Sequence, residues 1–194
     1  MKLLLFRHGA TDWSLAGRHT GRTNLELNDL GRKQALRARR NLERVSPNDL
    51  HGARIFSSPL SRAVETAAIV LGRGRDVVLA DELLEFDYGD FEGLTPEQIQ
   101  QQAPGWSIWS DGCPGGERVS DVGRRIDTFL RMVERVEEPV IVFAHGHVLR
   151  ILAARAVGLK AQEGSIFTLG TASLSIIEDV RGHRVVRLWN LEAD

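Results

Sequence analysis

LLLFRHGATDWS, residues 3–14, runs four apolar residues directly into Arg7, His8 and Gly9. A short apolar run of this kind is typical of a buried strand. Gly9 lets the chain turn sharply after the strand and lets a ligand approach the backbone. The β-branched run at residues 139–144 ends in the same way, on His145-Gly146-His147. Both runs therefore predict strands that carry a histidine at their carboxyl ends.

Predicted strands alternate with predicted helices along the chain. The strands are expected at residues 3–6, 53–56, 77–79 and 139–144, with a closing hairpin at 173–180 and 184–190. The helices are expected at residues 30–45, 59–72, 119–136 and 148–157, with a short one from residue 95 and loops at 85–93 and 106–116. This alternation predicts an α/β domain, a three-layer sandwich whose mostly parallel central sheet has helices on both faces.

For two of the predicted helices, named residues define the buried face of one and the start of the other. The buried face of the helix at 30–45 is expected to consist of Leu30, Leu36, Leu42 and Val45. The next helix is expected to have Ser58 as its N-cap and Pro59 as its first helical residue.

Composition limits the classes of function. The chain has 194 residues, a net charge of −1 and 42% hydrophobic residues. This length suits one domain over residues 1–194, and the balanced charge argues against a nucleic-acid partner. The single cysteine, Cys113, excludes an internal disulfide. No apolar run approaches the length of a membrane span, so we expect a cytoplasmic protein without a membrane partner.

The charges around the two histidines favour an anion. In a parallel sheet both histidines lie at the edge where ligands bind. Arg7 adjoins His8, and a cation beside a metal ligand argues against the metal site that His145-Gly146-His147 would otherwise suggest. Arg62 lies in the first turn of a helix, where a cation opposes the helix dipole. The unfavourable position of Arg62 would be explained if Arg62 and the helix N-terminus bound the same phosphate. The alternative is that Arg62 is a solvated surface arginine.

A histidine beside bound phosphate can attack phosphorus and form a phosphohistidine. Arginine forks would bind the phosphate oxygens and stabilise their charge. The leaving alcohol then needs a proton donor, and a carboxyl group held beside a phosphate anion keeps its proton to a higher pH. The residues alone leave four candidates open in the acidic loop: Glu85, Asp87, Asp90 and Glu92.

Separated motifs, in order along the chain, resemble those of a known family. They are Arg7-His8-Gly9-Ala10-Thr11, Thr20-Gly21-Arg22-Thr23, Ser58-Pro59-Leu60-Ser61-Arg62, Glu85-Phe86-Asp87-Tyr88-Gly89 and Ala144-His145-Gly146. The chain resembles the histidine phosphatase superfamily, and within it the phosphoglycerate mutase-like proteins of the first branch. The resemblance spans nearly the whole chain and implies the phosphoglycerate mutase-like form of the α/β fold.

The resemblance also implies roles for the matching residues. His8 would be the nucleophile, and Glu85 the proton donor and later the activator of water. The residues that hold the phosphate would be Arg7, His8, Arg62 and His145, the last of which also counts as catalytic. Thr20 and Gly21 would line the entrance. Neither a metal nor another cofactor is implied.

One position departs from the commoner family pattern. Many members have asparagine where this chain has Ser14, whose hydroxyl can still donate to phosphate but with a different reach. Serine there, with the segments at 17–21, 109–113 and 143–147, resembles a subgroup that includes acid phosphatases and sedoheptulose bisphosphatase. In that subgroup His19 and His147 are second-rank candidates for substrate contact. The alternative for His147 is a purely structural role next to a helix N-cap.

The favoured function is hydrolysis of a small phosphomonoester, such as a sugar phosphate or a phosphoglycerate-like molecule. A cofactor-dependent phosphoglycerate mutase is the alternative, although 194 residues leave little room for its closing segments. A non-catalytic phospho-ligand-binding protein is the third reading. A cysteine phosphatase is disfavoured, because Cys113 and Arg118 are separated by only four residues, one of them a proline. Arg18, Arg22 and His19 suggest a doubly anionic substrate, and the closing hairpin offers either an edge for a homodimer or a covered edge.

Overall fold

The computed structural model describes residues 1–50, 52–72 and 74–193. The strands of these residues are β1 (Lys2–Arg7), β2 (Arg54–Ser57), β3 (Val78–Leu79), β4 (Val140–Ala144), β5 (Leu174–Val180) and β6 (His183–Leu191). The α-helices are α1 (Asp12–Leu15), α2 (Asp29–Val45), α3 (Ser61–Leu71), α4 (Pro96–Gln102), α5 (Ile108–Asp111), α6 (Val119–Val133) and α7 (Gly146–Ala156). Short 3-10 turns lie at Asp81–Leu83, Gly89–Phe91 and Ala161–Ile166.

One sheet contains all six strands, in the order β3-β2-β4-β1-β5-β6. The pairs β1–β4, β2–β4 and β2–β3 are parallel, whereas β5 is antiparallel to β1 and to β6. Arg7 at the end of β1 lies opposite Ala144 at the end of β4. The predicted mostly parallel sheet and its closing hairpin are therefore confirmed.

Alternate residues of the central strands point to opposite faces of the sheet. Leu3 and Leu5 belong to one apolar cluster, which contains the buried faces of α6 and α7. Leu4 and Phe6 belong to a second cluster, which contains those of α2 and α3. Helices thus cover both faces, as the three-layer prediction requires. None of the helices in the described segments is long and apolar enough to cross a bilayer.

The predicted buried face of α2 is wrong for three of its four residues. Leu30, Leu36 and Val45 are exposed to 42%, 53% and 37%, and only Leu42 is buried. The remaining residues that face the core are Gly31, Ala35 and Ala38. Gly31 lies almost in backbone contact with the turn after β1, since a Cβ on it would lie 2.1 Å from the carbonyl oxygen of Ala10.

The predicted start of α3 is two residues too early. The helix begins at Ser61, and its N-cap residue Leu60 has no side-chain cap. Pro59 precedes the helix, and the hydroxyl of Ser58 is hydrogen-bonded across the sheet to His145, 2.8 Å away. The same hydroxyl accepts from the N–H of Leu60 over 3.4 Å, ahead of the helix and not within its first turn. Further along the chain, α6 ends at Val133 and not at the predicted residue 136.

Candidate active site

The two His-Gly steps lie side by side at the carboxyl edge of the sheet. Because Arg7 and Ala144 are paired in register, the residues that follow them, His8 and His145, are also neighbours. The backbone N–H of His8 donates to the carbonyl of Ala144 over 3.0 Å, and the two imidazole centroids are 5.2 Å apart. The structure thus brings together residues that are far apart in the sequence.

The imidazole of His8 is oriented and uncharged. Its Nδ1 lies 2.7 Å from the carbonyl oxygen of Gly9. A carbonyl can only accept, so Nδ1 carries the hydrogen and Nε2 keeps its lone pair. Burial, reinforced by Arg62 and Arg7, holds the pKa of His8 well below its ordinary value of 6.5. An unprotonated, oriented Nε2 is the form that can act as a nucleophile.

The turn after His8 is held by side chains from two helices. The N–H of Gly9 donates to Thr66 of α3 over 3.1 Å, and the N–H of Ala10 donates to the Gln34 amide oxygen of α2 over 2.9 Å. A Cβ on Gly9 would lie 2.4 Å from the carbonyl oxygen of Gly31. The carbonyl that orients His8 is therefore itself fixed by close packing and hydrogen bonds.

His145 is held by Arg62 and Ser58. The Nε of Arg62 donates to Nδ1 of His145 over 3.1 Å, so the hydrogen of the neutral imidazole lies on Nε2, which donates to Ser58 over 2.8 Å. Both His145 and Arg62 are fully buried. Burial, followed by the charge of Arg62, holds the pKa of His145 well below its ordinary value.

Arg62 also binds the backbone of the segment that contains Thr20 and Gly21. Its guanidinium donates to the carbonyls of Thr20, Gly21 and Thr23 over 2.9–3.1 Å. Burial lowers the pKa of Arg62, although nearby anionic groups, chiefly Glu85, oppose that effect. Arg62 therefore lies beneath the histidines, with most of its N–H groups on protein acceptors.

Arg7 has a buried donor without an acceptor. Its Nη1 donates to the carbonyl of Leu169, but its Nε is buried and has no hydrogen-bond partner among the described residues. Gly146 leaves space beside this atom, because a Cβ there would lie 3.6 Å from Nε of Arg7 and 3.7 Å from Oε2 of Glu85. An unpaired buried donor is costly and indicates a site for an acceptor.

Glu85 is the one of the four acidic candidates that lines the cavity at this edge. Its Oε1 accepts from the N–H groups of Phe86 and Val148, and its Oε2 accepts from the N–H of His147, over 2.9–3.0 Å. The carboxylate thus lies on the N-terminus of α7, a favourable place for negative charge. Glu92 instead accepts from backbone N–H groups near residue 21 and has a structural role.

A cavity of about 200 Å³ opens between these residues. Its walls are formed by Arg7, His8, Ser14, Gly17, Arg18, His19, Thr20, Glu85, Tyr88, Gly146, His147, Arg150 and Leu169. Of the predicted site residues, Gly21, Arg62 and His145 lie outside this wall. Gly21 is a packing residue, since a Cβ there would lie 2.3 Å from the carbonyl oxygen of Phe86.

Ser14 reaches the cavity, but its hydroxyl has local partners. Its Oγ donates to the carbonyl of Thr11 and accepts from the N–H of the same residue, each over 2.9 Å. These contacts form a capping box at the start of α1. Donation from Ser14 to phosphate, as predicted, requires its hydroxyl to rotate away from Thr11.

Two polar residues of the wall, Tyr88 and Arg150, are not among the predicted site residues. Tyr88 lies with its hydroxyl 2.7 Å from Nδ1 of His147, and Arg150 lies over the ring of Trp109 at 4.5 Å. Arg150 follows His147 by three residues on α7, a spacing that puts both on one helix face. That spacing was the available signal. For Tyr88 the sequence offered no signal beyond its place in the acidic loop.

Cys113 is excluded as a nucleophile. Its side chain is buried, and burial together with nearby carboxylates raises the pKa of its thiol to about 12. A thiol with such a pKa carries almost no thiolate at neutral pH. The disfavoured cysteine-phosphatase mechanism therefore has no support in the structure.

The buried histidines predict how stability depends on pH. His8 and His145 have pKa values well below 6.5 in the folded protein, whereas in the unfolded chain they titrate near 6.5. Below that pH the unfolded chain binds more protons, so the free energy of unfolding falls as the pH falls, by up to about 1.4 kcal/mol per pH unit for each histidine. We expect the melting temperature to drop between pH 7 and pH 5, and a His8→Gln variant to show a shallower drop. A melting temperature that rises over this interval would contradict the buried, neutral state of these rings.

The class of protein follows from the fold and the site together. At the edge of this α/β sheet an oriented, neutral histidine, an arginine and a carboxylate surround one small cavity. Such a site is typical of an enzyme that acts on phosphate esters. The chain belongs to the histidine phosphatase superfamily, branch 1, whose family model matches residues 3–192.

Individual relatives agree with this assignment. The chain is 39% identical over 193 residues to an acid phosphatase of Mycobacterium tuberculosis, an alignment that covers 98% of this chain and 92% of the relative. It is 34% identical over 191 residues to the sedoheptulose 1,7-bisphosphatase of Saccharomyces cerevisiae, covering 84% of this chain and 69% of the relative. These relatives confirm the predicted subgroup.

Solved structures are similar over almost the full length. A protein from a Mycobacterium tuberculosis open reading frame has a TM-score of 0.92 and 38% identity, with 100% of this chain and 98% of that chain covered. A mycobacterial glucosyl-3-phosphoglycerate phosphatase in complex with VO3 has a TM-score of 0.86 and 31% identity, with 98% and 99% covered. The predicted family fold is confirmed, and the protein is a histidine-type phosphatase, a phosphomonoester hydrolase.

Proposed function

We propose that the protein hydrolyses small phosphomonoesters by transferring the phosphoryl group to Nε2 of His8. In the first step the Nε2–P bond forms, the ester P–O bond breaks, and the carboxyl group of Glu85 gives its proton to the leaving oxygen. In the second step Glu85 accepts a proton from water, the water oxygen bonds to phosphorus, and the Nε2–P bond breaks. Inorganic phosphate and the alcohol are the products.

The orientation of His8 is the observation that carries this proposal. Its Nδ1–H is bonded to the carbonyl of Gly9 over 2.7 Å, and its low pKa keeps Nε2 unprotonated. Nε2 can therefore attack without first losing a proton. The same Nδ1–H bond supports the positive charge that the ring acquires when Nε2 bonds to phosphorus.

Phosphate binding is proposed for Arg7, Arg62 and His145. The unpaired Nε of Arg7 on the cavity wall supports the first assignment. Arg62 already makes four hydrogen bonds to protein atoms, so we propose that it donates to phosphate through its remaining N–H or by exchanging one carbonyl. The Nε2–H of His145 would exchange Ser58 for a phosphate oxygen in the same way.

The proton donor is proposed to be Oε2 of Glu85. Oε1 accepts two backbone hydrogen bonds, whereas Oε2 accepts one and faces the space left by Gly146. Oε2 therefore keeps the coordination site at which a proton can be held.

The substrate is proposed to be a sugar phosphate or a phosphoglycerate-like molecule with a second anionic group. Two relatives are named for a sugar bisphosphate and for glucosyl-3-phosphoglycerate, which supports this class. Arg18 and Arg150 stand on the cavity wall with His19, Thr20 and His147, and they can bind a second anion or hydroxyl groups. A panel of cellular phosphomonoesters tests the proposal, and a preference for alkyl phosphates that lack a second anionic group would contradict it.

Mutase activity and simple ligand binding are distinguished by one comparison. Release of inorganic phosphate and interconversion of phosphoglycerates are measured on the same preparation. A phosphatase releases phosphate and interconverts little, a mutase does the reverse, and a non-catalytic binding protein does neither.

Replacing Glu85 by glutamine tests the proton donor. We expect hydrolysis of an alkyl phosphate to slow by about 10²-fold or more, because its leaving oxygen needs a proton. Hydrolysis of p-nitrophenyl phosphate should slow far less, because nitrophenolate leaves unprotonated. Steady-state rates on both substrates provide the measurement. Equal slowing would show that another group is the acid.

Further properties are proposed on the sequence alone. We propose a single domain over residues 1–194 that works in the cytoplasm without a metal, and the single cysteine supports that location. A homodimer through the outer strand β6 and the lack of a nucleic-acid partner stay predictions.

A further inference from the structure

The loop that carries Glu85 is attached to α6 by one arginine. The Nη1 of Arg125 donates to the carbonyls of Glu82 and Leu84 over 2.6 and 2.7 Å. Its Nη2 donates to the carbonyl of Glu85 itself over 3.2 Å. One side chain thus binds three backbone carbonyls within four consecutive residues.

Glu117 completes this arrangement from the other side. It accepts from Nε and Nη2 of Arg125 over 2.9 and 3.1 Å, and from the N–H of Asp87 over 2.9 Å. Its own N–H donates to the carbonyl of Asp87 over 2.9 Å. The loop is therefore bound on both sides of Glu85 by the Arg125–Glu117 pair.

The Arg125–Glu117 pair can hold the loop backbone in one position because the pair is shielded from solvent and planar. The side chains of Arg125 and Glu117 are only 16% and 18% exposed. A guanidinium fork that binds a carboxylate and several carbonyls at once leaves its acceptors little freedom to move. The backbone from residue 84 to 88 has no helix or strand of its own, so these contacts define where the Glu85 backbone lies.

We propose that Arg125, held by Glu117, is a positioning residue that sets the Glu85 carboxyl group for proton transfer. This inference rests on the proposed role of Glu85. Loss of the pair would remove the donors that hold the Glu85 backbone, so the carboxyl group, still bonded to the N–H groups of His147 and Val148, would shift relative to the leaving oxygen. A displacement of about 1 Å is enough to slow proton transfer strongly. Phosphate binding, which uses other residues, would be little affected.

The test compares an alkyl phosphate with p-nitrophenyl phosphate in the variants R125M, R125K and E117Q. We expect R125M to lower kcat for the alkyl phosphate about 10-fold more than kcat for p-nitrophenyl phosphate, with KM for the latter unchanged. R125K keeps the charge without the fork and should lie between R125M and the wild type. If R125M does not fold, E117Q, which keeps Arg125 but weakens its partner, provides the same comparison of the two substrates.

The matched control is R124M on the same helix. The side chain of Arg124 is 72% exposed and, among residues 1–50, 52–72 and 74–193, pairs only with Asp121, so its loss should change neither rate. Equal slowing of both substrates in R125M and E117Q, with E85Q still selective for the alkyl phosphate, would overturn the positioning role alone. Equal slowing in E85Q as well would overturn the role of Glu85 and the inference with it.

Discussion

Phosphatase turnover falls by at least about 10⁴-fold when His8 is replaced by alanine, because the group that forms the bond to phosphorus is lost. Neither His145 nor Cys113 can substitute for it. The imidazole of His145 has both nitrogens in hydrogen bonds, and the thiol of Cys113 is buried with a pKa of about 12. The fold should survive, since His8 packs at the edge of the sheet and its Nδ1 makes one hydrogen bond.

Two measurements check this result. Initial rates on p-nitrophenyl phosphate give the loss of activity, and labelling with radioactive phosphomonoester under alkaline quench gives the phosphohistidine, which should be absent from the variant. His183→Ala at the exposed start of β6 is the matched control and should keep both signals. Activity of His8→Ala at the wild-type rate would refute covalent catalysis by this residue.

Replacing Arg62 by methionine should damage stability and activity together. The change removes four hydrogen bonds and leaves the Nδ1 of His145 and three backbone carbonyls without their donor. Because buried acceptors without partners are costly, we expect the free energy of unfolding to fall by about 3 kcal/mol or more. We expect activity to fall by about 10²–10³-fold, because a charge that stabilises the transferring phosphoryl group is lost.

Urea unfolding measures the stability, and the rise in melting temperature on adding inorganic phosphate measures anion binding. Both the urea midpoint and the phosphate-induced rise in melting temperature should be lower in Arg62→Met than in the wild type. Arg62→Lys should recover part of the phosphate effect but less of the stability, because an ammonium cannot reach all the acceptors of the fork. Arg39→Met is the control, since that side chain is 47% exposed and pairs with Glu43 on the surface. An unchanged midpoint in Arg62→Met would contradict the structural role.

The fold was predictable where short-range patterns determine it. The apolar runs of β1 and β4 are fully buried, so burial on both faces left a continuous signal in the sequence. The buried face of α2 was not predictable from large apolar residues. The contact of Gly31 with residues 9 and 10 leaves no room for a side chain at that position, and that contact depends on the tertiary structure. The start of α3 was predicted two residues too early, because the hydroxyl of Ser58 bonds to His145 and to the N–H of Leu60, ahead of the helix.

The site was partly predictable because chemistry and topology agree. Two strands that end in His-Gly belong at one edge of a parallel sheet, and His8 and His145 do lie there. The selection of Glu85 required either the family resemblance or the coordinates, since four carboxylates share its loop. Arg125 had no signal that pointed to the Glu85 loop, because its contacts to that loop go to backbone carbonyls, which every residue possesses.

The placement of His8 and His145 on neighbouring central strands also decides how the enzyme loses activity. Regions of a protein open locally at free energies that range from nearly zero in loops to the full unfolding free energy in core strands. β1 and β4 lie in the interior of the sheet, so separating the two imidazoles requires the most cooperative unit of the molecule to open. The outer wall at residues 14–20 belongs to a short helix and a loop, the kind of segment that opens at a lower free energy than core strands. Inactivation by heat should therefore coincide with global unfolding, while selectivity between substrates can relax earlier.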